Sequence, residues 1–300
     1  MGSKKILITG SSGFVGTSLV NGCLQAGHTP VLLLRSKKYT PHSSYLWNPD
    51  SRSLETKSFE GVDTIVHLTG ENVADGYWTS EKKRKILESR VESTRFLVDE
   101  IIKSKQRPKA LLCSSAIGWY GNRGDELLDE SSSAGRGFLA EVARMWEKEA
   151  TRAQEVGIRV VLLRFGLILG SDGGALPRIL TPFRLGLGGP LGDGNQYMSW
   201  ITIQDVIRSI LFIENDSKID GPVNITAPKP VTNKVFGRSL SQRLNRPFLV
   251  PTPAFALKLS LGDMAKELLL SSTRAIPTKL LNSGFIFEDN DLESAFKNLV

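Results

Sequence analysis

Three features repeat along the chain: a short apolar run, a glycine-containing break, and a longer stretch with apolar residues at helical spacing. Ile6-Leu7-Ile8 is a run of the kind that forms a buried parallel strand. Beyond the break, Val15, Leu19, Val20 and Leu24 recur at the helix period and stop at Gly27. Val31-Leu32-Leu33-Leu34 gives a second buried strand. Asp63–Gly70 (DTIVHLTG) predicts another strand ending in glycine, Thr79–Lys105 a long charged helix, and Ala110–Ser115 (ALLCSS) a further buried strand. Ala140–Val156 has helical spacing, and Arg159–Leu169 (RVVLLRFGLIL) is a strand that ends at Gly170. Strands alternating with helices predict an α/β fold, a Rossmann-type doubly wound parallel sheet with right-handed crossovers.

The pattern changes after residue 170. Ser171–Gly194 is rich in glycine and proline and predicts an irregular, mobile loop over the site. Ser199–Asp205 leads into a helix with Asp205 as its N-cap. Val223–Thr226 is a short strand able to return to the main sheet, and Thr232–Leu244 and Pro253–Leu270 have helical spacing. The expected organisation is a nucleotide-binding domain over residues 1–170 and a smaller C-terminal substrate lobe over 171–300. No mechanism follows from the tail motif Leu268-Leu269-Leu270, Arg274 and Pro277.

The break after the first strand, Thr9-Gly10-Ser11-Ser12-Gly13-Phe14-Val15-Gly16, lies in a strand–helix–strand unit of about thirty residues, the context that gives a glycine fingerprint its meaning. Gly10 permits the turn out of the strand. Gly13 lets a pyrophosphate approach the backbone, and Gly16 lets the helix pack close to the sheet. The helix N-terminus adds free N–H groups and a positive dipole end, so Gly10 through Gly16 are candidate phosphate contacts. At the end of the second strand stand Arg35-Ser36-Lys37-Lys38, with no acid between His28 and Asp50. An acidic residue there would accept from a ribose 2′-hydroxyl and repel a 2′-phosphate. Arg35 can instead grip that phosphate through two parallel N–H bonds, with Ser36, Ser11 and Ser12 adding hydroxyl donors. The expected cofactor is NADP(H).

Composition narrows the partners. The 300 residues are 40% hydrophobic and 23% charged, enough for a core without disulfide or metal staples. No apolar run approaches the roughly 20 residues of a membrane span, the first residues lead straight into a strand, and Cys23 and Cys113 sit in apolar contexts. A cytoplasmic protein with no membrane partner is expected. The formal charge of +7 sits in short runs without any nucleic-acid-binding signature, so nucleic acid is not expected as a partner. A positive field also draws in a dinucleotide. Three histidines and no cysteine cluster predict no metal site.

The motifs TGSSGFVG, IVHLTG, CSSAIGWYG and MSWITIQDV come in the order and spacing of extended short-chain dehydrogenase/reductases, the NAD-dependent epimerase/dehydratase superfamily. HLTGENV, PFRLGLGGPLGDGNQYMSWI and the tail VPTPAFALKLSLGDMAKELLLSSTRAIPTKLLNSGFIF resemble its atypical, epimerase-like subgroup with a characteristic C-terminal region. The resemblance covers essentially the whole chain. It implies an NADP-binding Rossmann domain under a closing C-terminal lobe. It also implies Leu68, Thr69, Gly70, Arg90 and Leu167 as cofactor neighbours, and Trp200 in the element that closes the pocket.

Active relatives use a Tyr-x-x-x-Lys pair on one helix face, in which the cation and cofactor lower the phenol pKa. Four residues after Tyr39, Tyr45, Tyr77, Tyr120 and Tyr197 stand Ser43, Pro49, Glu81, Gly124 and Ile201. None is lysine. Where relatives place a substrate-binding Ser or Thr, four residues before the tyrosine, Tyr120 has Ala116. The remaining candidates for proton transfer are Tyr120, Glu71, and Glu141 if burial raises its pKa. The sequence therefore predicts an NADP(H)-binding, epimerase-like oxidoreductase of unknown substrate that lacks the usual Ser/Tyr/Lys set. The alternative is a non-catalytic NADP(H)-binding redox sensor or interaction protein, and a homo-oligomer is compatible with either.

Overall fold

In the computed structural model, which describes residues 2–300, the strands of the first half are β1 (Lys5–Thr9), β2 (Thr29–Leu34), β3 (Ser43–Asn48), β4 (Ser53–Leu54), β5 (Thr64–His67), β6 (Ala110–Ala116) and β7 (Leu127–Leu128). Those that follow are β8 (Arg159–Phe165), β9 (Leu167–Leu169), β10 (Tyr197–Met198), β11 (Trp200–Thr202), β12 (Gly221–Ile225), β13 (Val231–Thr232) and β14 (Arg274–Ala275). The helices are α1 (Phe14–Gln25), α2 (Ser80–Lys103), α3 (Phe138–Thr151), α4 (Leu176–Arg184), α5 (Ile203–Asn215), α6 (Asn233–Leu244), α7 (Ala254–Leu261), α8 (Thr278–Asn282) and α9 (Leu292–Leu299).

Eight strands form the main sheet in the order β12-β8-β6-β5-β1-β2-β3-β4, parallel throughout except for the β3–β4 pair. The chain works outward from β1 through β2 and β3, then crosses back to β5. That reversal beside β1 is the switch point at which open α/β sheets bind ligands. The uninterrupted apolar runs follow from burial on both faces. Ile6 and Ile8 point into one core with Leu19, Val66 and Val206, while Leu7 points to the other with Val31, Ile65 and Leu97. The strand expected near 223–226 is β12, which pairs in parallel with β8 and brings the chain back to the main sheet after residue 170. A further core in the C-terminal half joins Leu176, Leu180, Phe183, Trp200, Phe236 and Phe296.

Two local expectations change. The Ser171–Gly194 segment contains a regular helix, α4. Pro177 falls in its first turn, where a missing N–H costs nothing, although Pro182 lies inside. Asp205 does not cap α5: Thr202 occupies that position, and the Asp205 carboxylate instead accepts from the N–H groups of Glu288 (3.0 Å) and Asp289 (3.0 Å). Trp200 is fully buried and its indole N–H donates to Lys229 O at 3.2 Å, as befits a core residue. Among the described residues, no helix is long and apolar enough to cross a membrane.

Candidate functional site

Gly10 turns the chain out of β1 with φ +65, a conformation L side chains rarely adopt, and a Cβ there would lie 2.9 Å from the Leu68 carbonyl carbon. Gly16 is tighter. Its missing Cβ would come within 2.2 Å of Gly10 O and 2.7 Å of Ser11 Cα. Its close approach is to the backbone just beyond the end of β1, where the start of α1 meets the sheet edge. Gly13 is the exposed N-cap of α1, and no side chain caps that end. The N–H groups of Phe14, Val15 and Gly16 precede the first intrahelical bond, from Thr17 to Gly13 O (2.9 Å). Ser12 is exposed beside them and Ser11 is buried. Val15 packs against the core. The Phe14 ring fills a socket of glycines, where a Cβ at Gly170 or Gly173 would sit 2.4 Å or 2.3 Å from it. Phe14 thus offers this end its backbone N–H, while its ring holds the turn before α4.

The neighbouring turn is fixed by a buried hydrogen-bond chain. Thr9 Oγ1 accepts from Leu68 N–H (3.1 Å) and from the Thr69 hydroxyl (3.0 Å), and lies 2.8 Å from His67 Nδ1. With both of those protons arriving at Thr9, its own proton goes to Nδ1. His67 then carries its proton on Nε2 and donates to Thr94 Oγ1 (3.0 Å), which also accepts from Trp146 Nε1–H (2.8 Å). Burial pushes the imidazole pKa down to about 3, so the ring is neutral. Beyond it, Arg90 underpins Gly70 and Glu71. Its Nη2 donates to Glu71 O (2.9 Å), its guanidinium lies 5.3 Å from the Trp146 ring centre, and burial lowers its pKa to about 10 against the pull of Glu71.

Arg35 and Ser36 are exposed at the end of β2. Arg35 opens on a cavity of about 310 Å³ whose other walls include Asp50, Arg52, Ser89 and Ser93. The Ser89 hydroxyl accepts from Glu71 N–H (2.9 Å), which ties one wall of this cavity to the residue after Gly70. Arg52 was not foreseen. It sits in the β3–β4 hairpin at φ +50, held by Asp99 (2.7 Å), and only the Asn48-Pro49-Asp50 turn signal before it hints at the hairpin.

The three proton-transfer candidates share no hydrogen bond or ion pair with one another. Tyr120 is fully buried; its hydroxyl lies 2.8 Å from both Asp129 O and Asn224 Oδ1 and accepts from Arg164 Nη1 (3.0 Å). Burial pushes its phenol up to about 12 despite Arg164, which is the wrong direction for passing a proton near neutrality. Glu141 is exposed in the first turn of α3, without the burial its role required. Glu71 is ion-paired to Lys82 (2.6 Å) at the cleft edge. Ser115 donates to Glu147 Oε1 (2.6 Å), and Glu147 in turn holds the buried Arg164 through two bonds of 2.9 Å. Ser114 donates to His67 O (2.7 Å). Leu167 pairs with Trp200 between β9 and β11.

One carboxylate was missed altogether. Glu267 reaches from a single π-helical turn, Ala265–Leu269, to the start of α3, accepting from Phe138 N–H (3.1 Å) and Leu139 N–H (3.2 Å). Gly137, at φ +114, leaves the room: a Cβ there would lie 2.6 Å from Glu267 Oε1. Around this contact Met264, Leu261 and Leu268 pack with Trp78, Phe138 and Leu139, and Asp263 pairs with Lys83 of α2. The C-terminal segment therefore straps the start of α3. No local sequence pattern announces a cap supplied from so far along the chain.

Comparison with known proteins agrees with this architecture. The family model described as NAD dependent epimerase/dehydratase family matches residues 6–226, and a domain of unknown function (DUF1731) matches 252–299. An epimerase family protein of Mycobacterium leprae is 37% identical over 292 residues, covering 97% of this chain and 94% of its own. The epimerase family protein YfhF of Bacillus subtilis is 36% identical over 299 residues, covering 98% and 97%. Among solved structures, human epimerase family protein SDR39U1 (isoform 2) with NADPH superposes at a TM-score of 0.89 with 29% identity over 98% of both chains.

Proposed function

The chain belongs to the NAD dependent epimerase/dehydratase family, and on that premise we propose that it is an NADP(H)-dependent, epimerase-like oxidoreductase working without the usual Ser/Tyr/Lys set. The observation that carries the cofactor choice is Arg35, exposed at the end of β2 on the wall of the 310 Å³ cavity, with no acid between His28 and Asp50. The cradle fits a dinucleotide, since a Cβ at Gly10 or Gly16 would strike backbone and the first-turn N–H groups of α1 have no side-chain cap. Gly10 through Gly16 would hold the pyrophosphate, Arg35 with Ser36 the 2′-phosphate, and Leu68–Gly70 and Leu167 would flank the rest. The relative SDR39U1, solved with NADPH, supports that choice. Bound there, the cofactor would supply or accept a hydride; the chain's own part is to hold it and exclude water.

The test is to denature the purified protein, identify any released nucleotide, and titrate the stripped protein with NADPH and NADH. NADPH is expected to bind about 10- to 100-fold tighter, the worth of one charged hydrogen-bonding pair, and Arg35→Asp to erase the preference. Failure of both nucleotides to bind at millimolar concentration removes this reading.

The sealed hydroxyl of Tyr120 favours a second reading, a non-catalytic NADP(H)-binding sensor or interaction protein. Tight NADPH binding with no oxidation in a broad screen of carbonyl substrates would select it.

A further inference from the structure

Two acid-free stretches of sequence meet on the surface of the C-terminal half. Residues 173–192 and 221–262 contain eight lysines and arginines and no aspartate or glutamate; all 31 acidic side chains of the protein lie elsewhere. Backbone bonds zip the two stretches together. Gly188 O accepts from Leu249 N–H (3.0 Å) and Val250 N–H (3.2 Å), Thr252 N–H donates to Pro190 O (2.9 Å), and Gly192 N–H to Thr252 O (2.9 Å). Phe183 and Phe248 stack beneath the seam with ring centres 6.2 Å apart.

Large apolar side chains stand in solvent along this seam. Leu249 is 77% exposed, and on α7 Phe255 is 74% and Leu259 87% exposed. Phe255 and Leu259 are four apart and share one face of a helix that buries only Leu257. Arg184, Arg246 and Lys258 are exposed among them, and their own stretches offer them no carboxylate. The two stretches therefore make a face that is apolar at its centre and positive at its edge, with Asp193 and Asp263 standing just beyond its ends.

We propose that this face docks on a membrane surface rich in anionic phospholipid. Leu249, Phe255 and Leu259 would enter the headgroup boundary, and Arg184, Arg246 and Lys258 would meet the phosphates. Such docking needs no spanning helix. A second copy meeting the same face would set like charges against each other. The apolar side chains project from a turn and a short helix, a shape that a yielding lipid surface accepts without a matching recess.

The experiment is co-sedimentation of the full chain with vesicles of phosphatidylglycerol and phosphatidylcholine in equal parts, against phosphatidylcholine alone. Pelleting is expected with the anionic vesicles only, and it should weaken as salt rises. Arg246→Glu with Lys258→Glu should lower partitioning at least about fivefold for each cation lost. Phe255→Ser with Leu259→Ser should abolish pelleting. All four positions are exposed, so unchanged circular dichroism and thermal midpoints are expected of both variants. Absence of pelleting, or equal pelleting with neutral vesicles, overturns the proposal. A wild-type dimer in light scattering that Phe255→Ser with Leu259→Ser converts to monomer also overturns it, and gives the face to a second copy.

Discussion

Two helices, α1 and α3, begin on glycine caps that offer no side chain of their own, Gly13 and Gly137, and yet their first turns meet opposite fates. At α1 the N–H groups of Phe14 to Gly16 face the switch point of the sheet, and among the described residues none accepts from them. At α3 the N–H groups of Phe138 and Leu139 are both taken by Glu267. Both ends carry the same partial positive charge, so local propensity cannot separate a ligand site from a structural joint. The difference lies in what the rest of the chain brings to each end. An end that the protein leaves uncapped, at a point where the topology opens, is the one available to a phosphate. An end satisfied in cis belongs to the fold.

The sharpest way to break the comparison is through the anchor of α3 that does not depend on its cap. Arg164→Met strands Glu147 in the interior and is expected to cost about 3–5 kcal/mol in urea unfolding, whereas Arg164→Met with Glu147→Met should recover most of it. A small effect of the single variant would mean that α3 is held chiefly at its start. Next, Gly16→Ala drives a Cβ onto Gly10 O and should cost about 1–3 kcal/mol while weakening NADPH in titration, with Gly13→Ala milder because its Cβ would press on Gly10 O at 3.3 Å and not overlap it. Undiminished NADPH affinity in Gly16→Ala would take the cofactor away from α1.

The third prediction concerns the wire beside that loop. His67 has a folded pKa of about 3 against a reference of 6.5, so the folded state resists its protonation. Its contribution is complete above pH 6.5 and is lost as pH falls, by up to about 1.4 kcal/mol per unit. Many carboxylates also titrate at low pH. The test is therefore the difference between wild type and His67→Gln from pH 6.5 to 5, where the variant should show the shallower loss. Parallel curves would mean that the ring is accessible to protons. The smallest effect is expected for Glu267→Ala, about 0.5–2 kcal/mol by thermal unfolding, with Glu267→Gln in between. If the comparison is right, sulfate should then stabilise Glu267→Ala more than wild type, because a second helix end has been made available to an anion.

How much of this was legible depended on distance along the chain. The first strand, glycine loop and α1 are a local pattern, and the runs Ile6–Ile8 and Val31–Leu34 need burial on both faces, which only an inner parallel strand provides. Arg35 was legible for the same reason, since the residue ending β2 follows from where β2 ends. Spacing showed that Tyr120 has no lysine partner, but its burial depends on Arg164 and Asn224, which arrive on β8 and β12. The direction of the Phe14 ring depends on a turn more than 150 residues later. Asp205 has the composition of a cap and was drawn away by two backbone groups near the C-terminus. Helix α4 was hidden by its prolines, of which one is harmless where it stands.

The strap at Glu267 also sets an order of events in time. During synthesis α3 is complete more than a hundred residues before Glu267 exists, and at about 5–20 residues per second that is a wait on the order of ten seconds. Throughout it the first turn of α3 lacks its acceptor, and Trp78, Phe138 and Leu139 lack Met264, Leu261 and Leu268. The nascent chain thus carries a sticky, half-built cleft past the ribosome exit, and its last forty residues are what close that cleft to chaperones and proteases.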